Sequence, residues 1–282
     1  MQKIHQVIDM LVKQGLIMKD HLEMMRLKNG TTNQAPAYVI KIDRPAVISS
    51  TYDFLLNYQN INLLPDVLYL DHSKEFIVYS FLPGETHINR GSKLKWLKVL
   101  VKELFNHYQK ADKNMPWGRV NGIERRNWSD FNQSSFESAR DYIGDFLPAE
   151  DHQKVKCLLN KLKVNHAQEE KYYLHGDTGV HNFVFLDNKI NGIIDPSPLI
   201  GSKIYDFTYA FCSSPDSLDM STILSSFSLW SGYESFTKER LVDEVLYQLY
   251  TRIGVCKKVH PHDLNGYMKA WENWRNYLPQ TH

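Results

Sequence analysis

The sequence predicts an α+β fold in two unequal lobes, a small antiparallel sheet first and a larger, mainly helical part after it. Three observations carry that reading. Strand-like runs come early, at residues 22–27, 37–42, 63–70 and 75–81. From residue 92 onward apolar side chains recur at helical spacing. Between the two regimes, Pro83-Gly84 turns the chain, so the first lobe is placed at residues 1–82 and the second at 83–282.

A chain of 282 residues buries a sizeable core. Lys plus Arg total 33 against 32 for Asp plus Glu, a balance that argues for a small-molecule partner rather than nucleic acid or a membrane surface. Cys157, Cys212 and Cys256 are far apart and lack metal spacing, which suits free thiols in a reducing cytosol. No stretch approaches the roughly 18 apolar residues of a membrane span. The expectation is a soluble, unprocessed, cytoplasmic protein.

Taken in order, Ile4, Val7, Ile8, Leu11 and Val12 mark an amphipathic helix over residues 3–14, with Gly15 placed to end it. Two strands follow around a polar turn, residues 28–34, that contains Gly30, Thr31 and Asn33. Two more strands bring the sheet to about five. Leu94, Leu97, Leu100, Val101, Leu104, Phe105 and Tyr108 line one face of a long helix over residues 92–110, and His107 is read as structural. Arg119, Arg125 and Arg126 lie in a turn-rich segment read as a surface insertion able to approach the acceptor site, although charge clusters of this kind usually face solvent. Helices at about 130–146 and 149–162 come next. The last 70 or so residues read as helices, and the aromatic stripes Phe227, Trp230 and Tyr233, then Tyr267, Trp271, Trp274 and Tyr277, read as packing faces rather than a cage for a quaternary ammonium. The carboxylates Asp216, Asp219, Glu234, Asp243 and Glu244 are candidates for a polyamine acceptor.

The chemistry lies in residues 172–206, YYLHGDTGVHNFVFLDNKINGIIDPSPLIGSKIYD. An apolar run turns polar at His175-Gly176-Asp177, and Asn182 follows Asp177 by five positions. Asp187-Asn188 divides two strand-forming arms, so a tight hairpin is expected. A hairpin returns the chain to its start, bringing Asn182 and Asp195 within reach of one metal ion. Mg²⁺ takes oxygen ligands and is usually held by one or two carboxylates plus substrate phosphates, a demand that one amide oxygen and one carboxylate meet. Asp177, beside that pair, is placed to accept or aim the proton of a hydroxyl attacking phosphorus.

This His-x-Asp-x-x-x-x-Asn loop, with Gly176 after the histidine and Ile193-Ile194-Asp195 at the hairpin exit, resembles the aminoglycoside phosphotransferase and choline kinase family. The resemblance implies a two-lobed, protein-kinase-like fold and transfer of the γ-phosphoryl of ATP, with GTP left open, to a hydroxyl of a small-molecule acceptor with Mg²⁺. It implies that the loop with Gly30, Thr31 and Asn33 covers the phosphates, that Lys41 contacts them, and that main-chain groups near Ser80 and Phe81 meet the base. His175 and Asp206 would support the loop. Where a glutamate partner for the lysine is typical the chain reads Ser49-Ser50-Thr51-Tyr52, and Asp53 is the nearest acid. From Asp195 to Asp206 there are only eleven positions, too few for a protein kinase's activation segment. A catalytically weak nucleotide-binding module and an atypical protein kinase stand as alternatives.

Overall fold

The computed structural model describes residues 2–13, 15, 38–166, 169–232 and 236–279. The chain divides into two units, Met1–Ala37 and Tyr38–His282. In the first unit, helix α1 (Gln2–Lys13) stops just before Gly15, which has φ 72° and donates its N–H to Val12 O at 3.0 Å. Positive φ is the conformation glycine takes at no steric penalty. The strand expected at residues 22–27 and the turn with Gly30, Thr31 and Asn33 lie outside the described residues.

The second unit opens with strand β1 (Tyr38–Ile42), helix α2 (Pro45–Asn57), β2 (Val67–Leu70) and β3 (Phe76–Ser80). Among the described residues the sheet has three strands, not five, in the antiparallel order β1-β3-β2. β3 is central, and Phe76, Ile77, Val78 and Tyr79 are all buried. A strand covered on both faces has no polar alternation. α2 begins with Pro45 at its first turn, where the missing N–H leaves no intrahelical bond unmade.

β4 (Glu85–Thr86) leaves that sheet and pairs instead with β7 (Phe183–Leu186), which forms a hairpin with β8 (Lys189–Ile193). The expected boundary at residues 82–83 therefore falls inside the second compact unit, where the chain passes directly from one sheet to the other. Asp187 and Asn188 have φ of 50° and 59°, the paired left-handed residues of the two-residue turn that matches strand twist. A third small sheet joins β5 (Gly118–Arg119), β9 (Leu199–Gly201) and β6 (Tyr172–Leu174).

Around these sheets pack α3 (Lys93–Glu103), α4 (Trp128–Ile143), α5 (Ala149–His166), α6 (Ile204–Cys212), α7 (Met220–Phe227), α8 (Lys238–Val259) and α9 (Leu264–Trp274). α8 is the axis, buried along most of its length, with Leu241, Val245, Leu246, Leu249, Tyr250 and Ile253 on its apolar face. Its Gly254 lets α4 approach closely, because a Cβ there would sit 2.8 Å from Ala139 Cα. α3 is shorter than the periodicity suggested. Past Glu103 the chain tightens into a short 3₁₀ turn, and Asn106 exchanges hydrogen bonds with Leu229 O and Ser231 N instead of continuing the helix. Tyr267, Trp271 and Trp274 are core, with polar edges bonded to Cys212 O, Asp151 and Leu218 O. No described helix is long and apolar enough to cross a membrane.

Candidate active site

β6 ends at Leu174, and the next three residues form a crook held from several sides. Gly176 has φ 78°, and a Cβ there would lie 2.2 Å from Ser197 O and 2.7 Å from Arg119 Nη1. Both dihedral and space require glycine. Gly176 N–H is shared by the two carboxylate oxygens of Asp206, at 3.2 and 3.1 Å. Tyr108 Oη donates to Asp206 Oδ2 at 2.5 Å and accepts from His175 N at 3.3 Å, and Thr178 Oγ1 donates to Asp206 O at 2.7 Å. Burial pushes the Asp206 carboxyl up to about 6 against the pull of the Tyr108 and Gly176 bonds. Its place in the first turn of α6 joins the crook to the helical core.

His175 is fully buried. Its Nε2 faces Ile194 O at 3.1 Å and its Nδ1 faces Asp177 N–H at 3.3 Å, which assigns the proton to Nε2. Phe54 of α2 meets the ring edge-on, with centroids 5.6 Å apart. Burial pulls the imidazole down to about 4. It is a neutral strut between the crook and the hairpin exit.

Asp177 Oδ2 accepts from His181 Nε2 at 3.2 Å and from Asn182 Nδ2 at 3.1 Å, and Tyr209 adds a side-chain bond. Burial opposes the charge, but the His181 bond, the nearby His181 and His175 rings and the Tyr209 bond overcome it and hold the carboxyl at about 2. Asn182 Nδ2 also reaches Asp177 O at 2.9 Å. With its N–H groups so directed, the Asn182 amide oxygen is the atom left for a cation. In the β7–β8 ladder Phe183 pairs with Ile193, and Ile194 N–H donates to Asn182 O at 2.9 Å, so Asn182 and Asp195 are neighbours across the hairpin mouth. One amide and one carboxylate oxygen fit Mg²⁺ completed by phosphates and water. Among the described residues no group of three or more His, Cys, Asp or Glu could hold a metal by itself.

Lys41 reaches across from β1 to Asp195 Oδ1 at 3.2 Å. The lysine of the sheet, the hairpin exit and the Asp177 crook thus form one constellation. No family model and no curated protein matches the chain. Solved structures match it along nearly its whole length. A thermostable mutant of aminoglycoside phosphotransferase APH(4)-Ia, in ternary complex with ADP and hygromycin B, aligns at TM-score 0.60 over 97% of this chain and 99% of that one, with 14% identity. Choline kinase LicA from Streptococcus pneumoniae aligns at TM-score 0.58 over 98% and 100%, also with 14% identity. The GDP complex of a mutant aminoglycoside 2'-phosphotransferase-IIIa aligns at 0.56 over 96% of both chains, with 10% identity. The chain has the aminoglycoside phosphotransferase and choline kinase fold. The kinase-like α+β architecture expected from the sequence is the one found.

Within this phosphotransferase fold the remaining candidates separate. Asp53 is exposed on α2 and its charge is felt at Tyr173, while Lys41 pairs with Asp195 instead. Ser80 is bonded through both N–H and Oγ to Asp66, at 2.9 Å each, and Phe81 follows it half-buried.

Four residues of the site were not legible as such. Tyr108 looked like one more apolar residue of a helix face. Arg119 looked like a solvent-facing charge, yet its Nη1 donates to Gly176 O at 2.6 Å and Ser197 O at 2.7 Å, joining the crook to the loop after Asp195. His181 and Tyr209 carried no signal beyond their distance from Asp177 along the chain. Only the fold turns them toward it.

The buried pair His175 and Asp206 sets an expected pH response of stability. Unfolded, a histidine protonates near 6.5, whereas folded His175 does so only at about 4. The unfolded chain therefore binds more protons in between, and this stability is lost as pH falls from 6.5 toward 4. Asp206 has the opposite sign, since its folded carboxyl takes a proton at about 6 and its unfolded one only at 3.8. By linkage, His175→Gln should lose about 2 kcal/mol less than wild type between pH 7 and 5. Urea midpoints at the two pH values check this, and equal losses in the two proteins would refute it.

Proposed function

We propose that the protein transfers the γ-phosphoryl group of a nucleoside triphosphate to a hydroxyl of a small molecule. The observation that carries the reading is the convergence of Asp177, Asn182, Asp195 and Lys41, with Lys41 meeting Asp195 at 3.2 Å. Asp177 aims the acceptor hydroxyl. A carboxyl held at about 2 is a weak base, which suits a loose transition state in which the new P–O bond forms while the bond to the leaving diphosphate breaks and the hydroxyl proton passes to the carboxylate late. Asn182 Oδ1 and the Asp195 carboxylate would hold Mg²⁺, whose charge, once bound, offsets that of the phosphates. Lys41 neutralises phosphate charge from the sheet side. Main-chain groups at Phe81 are left to meet the base, since the Ser80 N–H is already bonded to Asp66 O.

The segment from Asp195 to Asp206 supports a small acceptor over a protein. It is only eleven positions long and holds β9, pinned between β5 and β6, which is short for a segment that lays out a peptide. The carboxylates considered for a polyamine are engaged elsewhere: Asp216 with Arg90 at 3.1 Å, Asp219 as the cap of α7, Asp243 with Lys161 at 2.7 Å and Glu244 with Arg240 at 3.8 Å. Glu234 lies outside the described residues. This favours a neutral hydroxyl compound over a polycation. The three cysteines are free thiols, which supports a cytoplasmic setting.

Incubating the protein with ATP or GTP, Mg²⁺ and a panel of sugars, homoserine, choline, hygromycin B and streptomycin tests the reading. Nucleoside diphosphate release that depends on one acceptor is the expected result. Nucleotide binding without turnover on any of them would point to a binding module, and phosphate on an added protein to a protein kinase.

A further inference from the structure

The geometry points to His181 as a positioning residue for Asp177, its Nε2–H fixing the direction of the carboxylate. The inference rests on the phosphotransferase reading and adds a residue to it.

Three features place the ring. The 3₁₀ turn Val180–Asn182 folds the chain back so that His181, four positions after Asp177, reaches Oδ2 at 3.2 Å. The ring then lies over Gly179. A Cβ there would stand 2.4 Å from His181 Cε1 and 2.5 Å from Nδ1, so any side chain at 179 displaces the imidazole. His87 lies against the ring, with centroids 6.2 Å apart and planes 26° apart. His87 holds φ 70°, a left-handed conformation uncommon for a residue with a side chain. It directly follows β4, which pairs with β7 just beyond His181, so one small sheet sets both rings.

The other side-chain N–H donor on Oδ2, the Asn182 amide, is already tied to Asp177 O at 2.9 Å. Its Nδ2 is shared between that bond and Oδ2 at 3.1 Å, and its oxygen is the proposed cation ligand, so the amide is not free to follow the carboxylate. His181 has no second task in the constellation, and a carboxylate that aims a hydroxyl needs its own rotation fixed to within a fraction of an ångström.

His181→Leu removes the donor and keeps bulk; His181→Gln keeps an N–H near the Nε2 position; Gly179→Ala disturbs the ring without touching either polar group. On the acceptor found in the panel, kcat should fall about tenfold to a hundredfold in His181→Leu. KM for the nucleotide should stay within about twofold, and His181→Gln should recover most of the loss. Crystal structures of the two His181 variants should show the Asp177 carboxylate rotated in the leucine variant and in place in the glutamine variant. An unmoved carboxylate in His181→Leu, or kcat equal to wild type, overturns the proposal; if His181→Leu does not fold, the kcat and the Asp177 position of Gly179→Ala decide in its place. The crystallographic arm decides even if wild type phosphorylates no acceptor, an outcome that would count against the phosphotransferase reading alone.

Discussion

Asp177→Asn should lower turnover by about 10²–10⁴-fold, the range for removing a positioned general base, while nucleotide affinity stays within about twofold of wild type. Asparagine keeps one acceptor oxygen, and the donors His181 Nε2 and Asn182 Nδ2 at 3.2 and 3.1 Å will claim it. The new amide N–H₂ then faces the acceptor. A hydroxyl that must give up a proton meets a donor instead of an acceptor, so substrate binding is little changed while the transition state loses its partner. Single-turnover kinetics beside nucleotide titration separates the two quantities. Near-wild-type turnover would remove Asp177 from its assigned role.

Asp195→Ala should abolish the Mg²⁺ dependence of nucleotide binding. The carboxylate is the only charged ligand in the proposed pair, and without it Asn182 offers a single neutral oxygen to a cation that dehydrates reluctantly. The fold should survive. The Lys41–Asp195 pair is half open to water, with side chains 19% and 50% exposed, and such pairs contribute about 1 kcal/mol or less. Asp195 sits at φ 52°, where alanine is strained and asparagine is tolerated. Asp195→Asn is therefore the cleaner comparison, and it should weaken Mg²⁺–nucleotide binding without a loss of thermal stability. Calorimetric titration with and without Mg²⁺ reads the effect. Magnesium-dependent affinity persisting in the alanine variant would take the metal away from this pair.

How much of this was legible before any coordinates depended on whether the signal was local. The Asp187-Asn188 turn was, because two left-handed residues between strand-forming arms leave the chain one way to go. The end of α3 was not, since the apolar stripe runs on to Tyr108 while the chain leaves the helix after Glu103 to bond Asn106 to a distant loop. Asp53 was offered as partner to Lys41 because it is the nearest acid on the helix after the lysine's strand. In space the nearer acid is Asp195, 154 positions away.

By itself, then, the sequence determined the candidate groups: a histidine, a glycine, two aspartates and an asparagine at spacings that a crook and a hairpin bring together through short-range backbone geometry. The tertiary structure decided what holds them. Tyr108, Arg119, His181 and Tyr209 serve residues 98, 57, 4 and 32 positions away. For such contacts side-chain type carries no address. A tyrosine on a helix face and a tyrosine bonded to a buried carboxylate are written with the same letter, and only the packing of α3, α6 and the small sheets against one another tells them apart.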